Sequence, residues 1–162
     1  MRSAIIVFAL VHLAAAGCSG PKIGTMTGYD NTDGHDDKHP GSLMEYDHTT
    51  PAFWANVNAV SIYDRDWSQW KYHNIIINYK GKNVTVQSWD ACTNADCPED
   101  PQCCTHNAQK FAKPGFLVDV EKRVLKSAFN ITNYNDVMNK ITIYLCDAFD
   151  HQAVANKYHL SN

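Results

Sequence analysis

The sequence predicts a single small, mostly β domain: a barrel of short strands with one or two short helices, stapled by disulfides. Three observations lead there. Hydrophobic residues are 44% and charged residues 19% of 162, which suits one compact core. Short runs alternate apolar and polar residues between Gly, Pro and Asn punctuation. Six cysteines (Cys18, Cys92, Cys97, Cys103, Cys104 and Cys146) all follow an N-terminal export signal.

Residues 1–16 are that signal. Arg2 precedes an apolar run, and Ala14 and Ala16 supply the small residues that signal peptidase accepts. The run is too short to be a permanent membrane span, and no later segment is apolar enough for one. Residues 15–18, Ala-Ala-Gly-Cys, lack the leading Leu of a lipobox. The reading is a secreted, extracellular monomer. Export favours three disulfides over a zinc site, because the cysteines form no CxxC pairs. Cys103 and Cys104 are adjacent, so one is expected to close the local loop with Cys92 or Cys97 and the other to reach a distant strand. Asn83 and Asn130 begin Asn-x-Thr sequons, glycan acceptors in a eukaryotic source.

The folded domain is expected at residues 17–150, without an internal repeat. Residues 24–29 (GTMTGY) read as a first strand. Residues 30–42 are a polar loop. Thr50-Pro51 opens a helix that continues through AFWANVNAV, with Pro at its first position. Residues 72–79 and 82–89 alternate Ile75, Ile77 and Tyr79 with Val84, Val86 and Ser88 about Lys80-Gly81, a β-hairpin. Residues 92–115 are a cysteine-rich loop. Residues 116–120 form a strand, and residues 121–129 a helix with Val124, Leu125, Ala128 and Phe129 on one face. Residues 140–146 alternate Ile141, Ile143 and Leu145, a last strand. Residues 151–162 are a polar tail of little structure.

Composition excludes some functions. Net charge is −3 with no block of Lys or Arg, which argues against a nucleic-acid partner. No nucleophile elbow is present, and the cysteines are consumed. Residues 30–39 (DNTDGHDDKH) carry His35 and His39 four apart. Gly34 and Pro40 make that segment a loop, and it fails the EF-hand spacing, so no metal and no cofactor are expected.

Three segments, in order, carry a resemblance. GTMTGY is similar to the Gly-x-x-Thr-x-Tyr opening of expansins. VTVQSWDAC, at the end of the hairpin, resembles their valine-rich strand followed by Asp and Cys. LVDVEKRVLKSAF resembles their His-Phe-Asp-Leu-Ser-x-x-x-Phe segment, with Leu117 where His is usual. The resemblance spans roughly residues 24–147. It implies a six-stranded double-psi β-barrel and a protein that binds cell-wall polysaccharide (cellulose, chitin or peptidoglycan) and loosens it without hydrolysis. The same barrel implies two alternatives: a glycoside hydrolase or lytic transglycosylase, and a protease inhibitor or host-directed effector.

The resemblance assigns candidate site residues. Asp119 matches the acid of the family's glycosidases, a role that needs a carboxyl held protonated in a partly dry site. It also stands before a helix, where Asp is a good N-cap. Asp90 matches a second acidic position. Asp30 lies where related hydrolases keep a base, and matters only for hydrolysis. Tyr29 matches a groove aromatic. Trp89, beside Asp90, and Trp67 and Trp70, three apart, are candidate stacking platforms for sugar rings.

Overall fold

The computed structural model describes residues 17–32, 41–97 and 99–162. The signal segment and His35 and His39 lie outside the described residues. Six strands close into a barrel: β1 (Lys22–Tyr29), β2 (Ala59–Tyr63), β3 (His73–Tyr79), β4 (Lys82–Cys92), β5 (Phe116–Glu121) and β6 (Asn139–Ala148). Their order around the barrel is β1-β5-β2-β4-β3-β6. Among the described residues five α-helices punctuate it: α1 (Pro51–Asn56), α2 (Asp64–Trp70), α3 (Cys103–Ala108), α4 (Lys122–Phe129) and α5 (His151–Tyr158). No helix among the described residues is long and apolar enough to cross a membrane.

The pairing defines the topology. β5 lies between β1 and β2, parallel to the first and antiparallel to the second. β2 lies between β4 and β5, again parallel to one and antiparallel to the other. Each triplet is a ψ-motif, and the two interlock through the β2–β5 pair. The half β1–β3 thus repeats the neighbour pattern of β4–β6. This is a double-psi barrel.

The interior is apolar by alternation. Met26, Val60, Ile62, Ile75, Ile77, Val86, Val118, Val120, Ile141 and Ile143 fill it and are all 2% exposed or less. Two smaller clusters lie outside the barrel wall. One joins Cys103, Cys104 and Ala108 to Leu117. The other is aromatic: Phe53, Trp54, Tyr72 and Trp89 pack edge-on beneath α1 and α5.

Several expectations change. The α1 helix stops at Asn56, and residues 59–63 form the central strand β2 instead of continuing the helix. Val57 turns extended and ends the helix, and the β-branched Val60 and Ile62 then face the barrel interior. The polar tail is α5, capped by Asp150 and packed on the aromatic cluster through Val154, Ala155 and Tyr158. The bridges are Cys18–Cys146, Cys92–Cys104 and Cys97–Cys103. Both adjacent cysteines therefore pair locally, and the long-range bridge ties the segment before β1 to β6. Helix α3 makes this possible by turning Cys103 and Cys104 toward different partners.

Candidate functional site

A row of four side chains crosses the barrel's outer face. Thr27 on β1 pairs with Asp119 on β5, Asp119 with Ser61 on β2, and Ser61 with Asp90 on β4. The interior neighbours Val118, Val120, Val60 and Ile62 fix the direction of Asp119 and Ser61, since successive side chains alternate. Asp90 needs a further device. Val60 pairs with Ser88, but Ser61 pairs with Asp90, so the register skips Trp89. Without that bulge, Asp90 shares the parity of Val86 and points inward. The extra residue turns it out beside Ser61.

Each acid has a hydroxyl partner from the next strand. Thr27 donates from Oγ1 to Asp119 Oδ1 at 2.7 Å. Ser61 donates from Oγ to Asp90 Oδ2 at 3.1 Å. The ψ repeat relates the two arrangements: Thr27 and Asp90 are equivalent positions, as are Asp119 and Ser61. The acids stand two strand spacings apart, about 10 Å between backbones.

Burial dominates the electrostatics. It raises the Asp119 carboxyl to about 6, against the Thr27 hydrogen bond, with the Asp90 charge pushing the same way. Burial also raises Asp90, against its bonds to Ala91, Ser61 and Met44. The Tyr29 hydroxyl lies among these groups. Burial, then the charges of Asp90, Asp119 and Glu121, hold its pKa well above the ordinary phenol range. That hydroxyl is buried beside Ser61, whose side chain acts in the opposite direction and lowers it.

Asp119 is not the helix cap. Glu121, almost fully buried, accepts from the Arg123 amide and caps α4, which leaves Asp119 to the row. Asp30 is committed elsewhere. It meets Lys122 Nζ at 2.6 Å and accepts from Thr32 and from the Tyr134 hydroxyl. Burial alone would raise Asp30, but Lys122 and Thr32 outweigh it and lower the carboxyl to about 2.

One tryptophan departs from expectation. Trp89 is fully buried, enclosed by Tyr46, Phe53, Tyr72 and Phe149, so it offers no ring face to a sugar. Trp89 has the opposite parity to Val86, so it points out of the barrel and into this cluster. Trp67 and Trp70 are half-buried on α2, which follows β2 directly, and both pack against the barrel's interior cluster. Lys22 also covers the Trp70 ring, 5.3 Å from its centroid. Both sequons are exposed: Asn83 lies early in β4 and Asn130 is the left-handed C-cap of α4. The metal-ligating types that cluster among the described residues are Cys97, Cys103 and Cys104, all in disulfides.

Sequence reasoning passed over Thr27 and Ser61. Thr27 is two residues before Tyr29 on a strand, hence on the same face, and that spacing was a usable signal. Ser61 was hidden because the helix expected through Val60 left no strand to carry it.

No protein-family model and no curated protein matches this chain. Among solved structures it is similar to the crystal structure of apo-Clavibacter michiganensis expansin, at 16% identity with a TM-score of 0.46. That alignment covers 79% of this chain and 51% of the other, so the chain spans about half the length of that expansin.

Proposed function

We propose that this chain is an exported, expansin-like protein that binds cell-wall polysaccharide and loosens it without hydrolysis. The observation that carries the reading is the Thr27–Asp119–Ser61–Asp90 row, two half-buried carboxyls each held by a hydroxyl on one face. The two carboxyls are the partly exposed members of the row and offer oxygens to sugar hydroxyls, while the buried Thr27 and Ser61 hold them in place. A carboxyl near 6 exchanges its proton close to neutrality, so it both donates and accepts hydrogen bonds there. Competition for hydrogen bonds between glycan chains needs that ability and no broken covalent bond. Three disulfides and the N-terminal apolar run support export.

Cleavage is the second reading, favoured by the raised Asp119 carboxyl, which suits a general acid. Against the hydrolytic form stands Asp30, whose carboxyl is engaged by Lys122, Thr32 and Tyr134. Co-sedimentation with cellulose, chitin and peptidoglycan, with reducing ends measured in the same tubes, separates the readings. Wild type is expected to sediment with at least one polymer and release no reducing ends. Asp119→Asn is expected to lose wall loosening. Steady reducing-end release that vanishes in Asp119→Asn would replace loosening with cleavage.

A further inference from the structure

Asp90 has one partner from outside the barrel. The Met44 amide donates to its carboxyl and pulls it down against burial. Met44 stands in a turn, residues 43–46, whose flanks Leu43 and Tyr46 are buried in the aromatic cluster. The Leu43 amide donates to the Tyr46 carbonyl at 2.8 Å, and the Tyr46 amide to the Leu43 carbonyl at 3.2 Å. A trans peptide holds its C=O and N–H antiparallel. The Leu43 carbonyl points across the turn, so the Met44 N–H points out of it, where Asp90 accepts. The Tyr46 ring packs on Trp89, the residue before Asp90.

The tip of this turn is exposed, and Glu45 ties it down. Glu45 Oε1 accepts from Lys71 Nζ at 2.7 Å, and Oε2 accepts from the Tyr72 hydroxyl at 2.8 Å. The Lys71 bond holds the Glu45 carboxyl below its ordinary value, so it is a carboxylate at neutral pH. Lys71 follows α2, and Tyr72 precedes β3. Tyr72 has φ +58°, a left-handed backbone that a bulky residue rarely adopts. Its surroundings hold it there. Its amide donates to the Ser88 carbonyl at 2.9 Å, and its carbonyl accepts from the Phe149 amide at 3.0 Å. Its ring stacks on His151 at 3.7 Å between centroids. Such outliers persist where contacts over-determine them, and they cluster at functional sites. Here the strained residue delivers its hydroxyl to Glu45.

We propose that Glu45 is a positioning residue for the carboxyl row: it clamps the 43–46 turn to Lys71 and Tyr72 and so keeps the Met44 amide on Asp90. The inference rests on the polysaccharide reading above only for the role of Asp90 as a glycan contact. The groups that face Glu45 are Lys71, Tyr72, Tyr46 and His151. Those that face Asp90 are the Ala91 and Met44 amides, the Ser61 hydroxyl and the charge of Asp96. Tyr29 and Asp119 in turn feel the charge of Asp90. Two ways for Glu45 to act on Asp90 have opposite signs. If Glu45 acted by its charge alone, removing it would lower the Asp90 carboxyl. If it acts by holding the turn, removing it frees the Met44 amide and raises the Asp90 carboxyl.

Titration of the aspartate side-chain carboxyls by 13C NMR, on the free protein, reads that sign. Glu45→Ala is expected to raise Asp90 by about one pH unit, the loss of one amide donor. It is expected to lower Asp119, because an Asp90 that ionises later repels it less. Glu45→Gln loses the charge but keeps an acceptor oxygen, and is expected to hold Asp90 closer to wild type than to Glu45→Ala. Tyr72→Phe keeps the ring and loses the hydroxyl, and is expected to raise Asp90 by less than Glu45→Ala does. The melting temperature is expected to change little in Glu45→Ala and Glu45→Gln, because an exposed ion pair contributes little stability. An Asp90 that falls or does not move in Glu45→Ala would overturn the clamp and leave the polysaccharide reading standing. A wild type that binds no polymer would remove that reading, and a raised Asp90 in Glu45→Ala would still establish the clamp.

Discussion

Removing the Cys18–Cys146 bridge is expected to destabilise the protein more than removing either of the other two. The chain-entropy argument ranks them by the loop each closes. The sequence separations are 128, 12 and 6 residues for Cys18–Cys146, Cys92–Cys104 and Cys97–Cys103. Those loops correspond to about 5, about 3 and about 2 kcal/mol of lost unfolded-state entropy. The long bridge also anchors the segment just before β1: Ser19 donates to the Leu145 carbonyl, and β1 then runs antiparallel to β6. Urea unfolding of the three paired Cys→Ser variants checks the ranking. A Cys97–Cys103 variant as unstable as the Cys18–Cys146 variant would contradict it.

Asp119→Asn is expected to stabilise the protein near neutrality while abolishing its function. The ordinary carboxyl value is 3.8 and the folded value about 6, so the folded state holds this proton more tightly. The stability this contributes is complete below 3.8 and is lost as pH rises through 6. By pH 7.5 the loss approaches about 3 kcal/mol, two pH units at roughly 1.4 each. Asn carries no charge at any pH and still accepts from the Thr27 hydroxyl. The variant is therefore expected to match wild type near pH 4 and to melt roughly 5–10 °C higher near pH 7.5. A melting series across pH checks it, and a difference independent of pH would contradict it. A residue whose loss stabilises the fold is one retained for its chemistry.

Much of the barrel was legible as alternation. Ile75, Ile77, Val84 and Val86 marked the hairpin, and Ile141, Ile143 and Leu145 the last strand, because their apolar faces line one core. Residues 59–63 were not legible: five residues after a helix give too short a period to separate strand from helix. That miss concealed Ser61. The ψ repeat left no sequence trace, because hydrogen bonding between strands and not side-chain identity produces it. Asp119 and Asp90 were named through the resemblance and do share one face. Trp89 was misplaced because it faces out of the barrel but is covered by Phe53, Tyr46 and Phe149 from distant segments, contacts that have no signature in a run such as VTVQSWDAC. The C-terminal helix looked polar because it buries little beyond Ala155, with Val154 and Tyr158 partly covered.

The carboxyl row as a polysaccharide site is tested most directly by 13C NMR titration of the aspartate side-chain carboxyls, with and without a neutral hexasaccharide. Asp119 is expected to titrate near 6, to fall when Asp90→Asn removes the neighbouring charge, and to shift together with Asp90 when the glycan is added. An Asp119 that titrates near 3.8, with neither carboxyl responding to the glycan, would contradict the shared site.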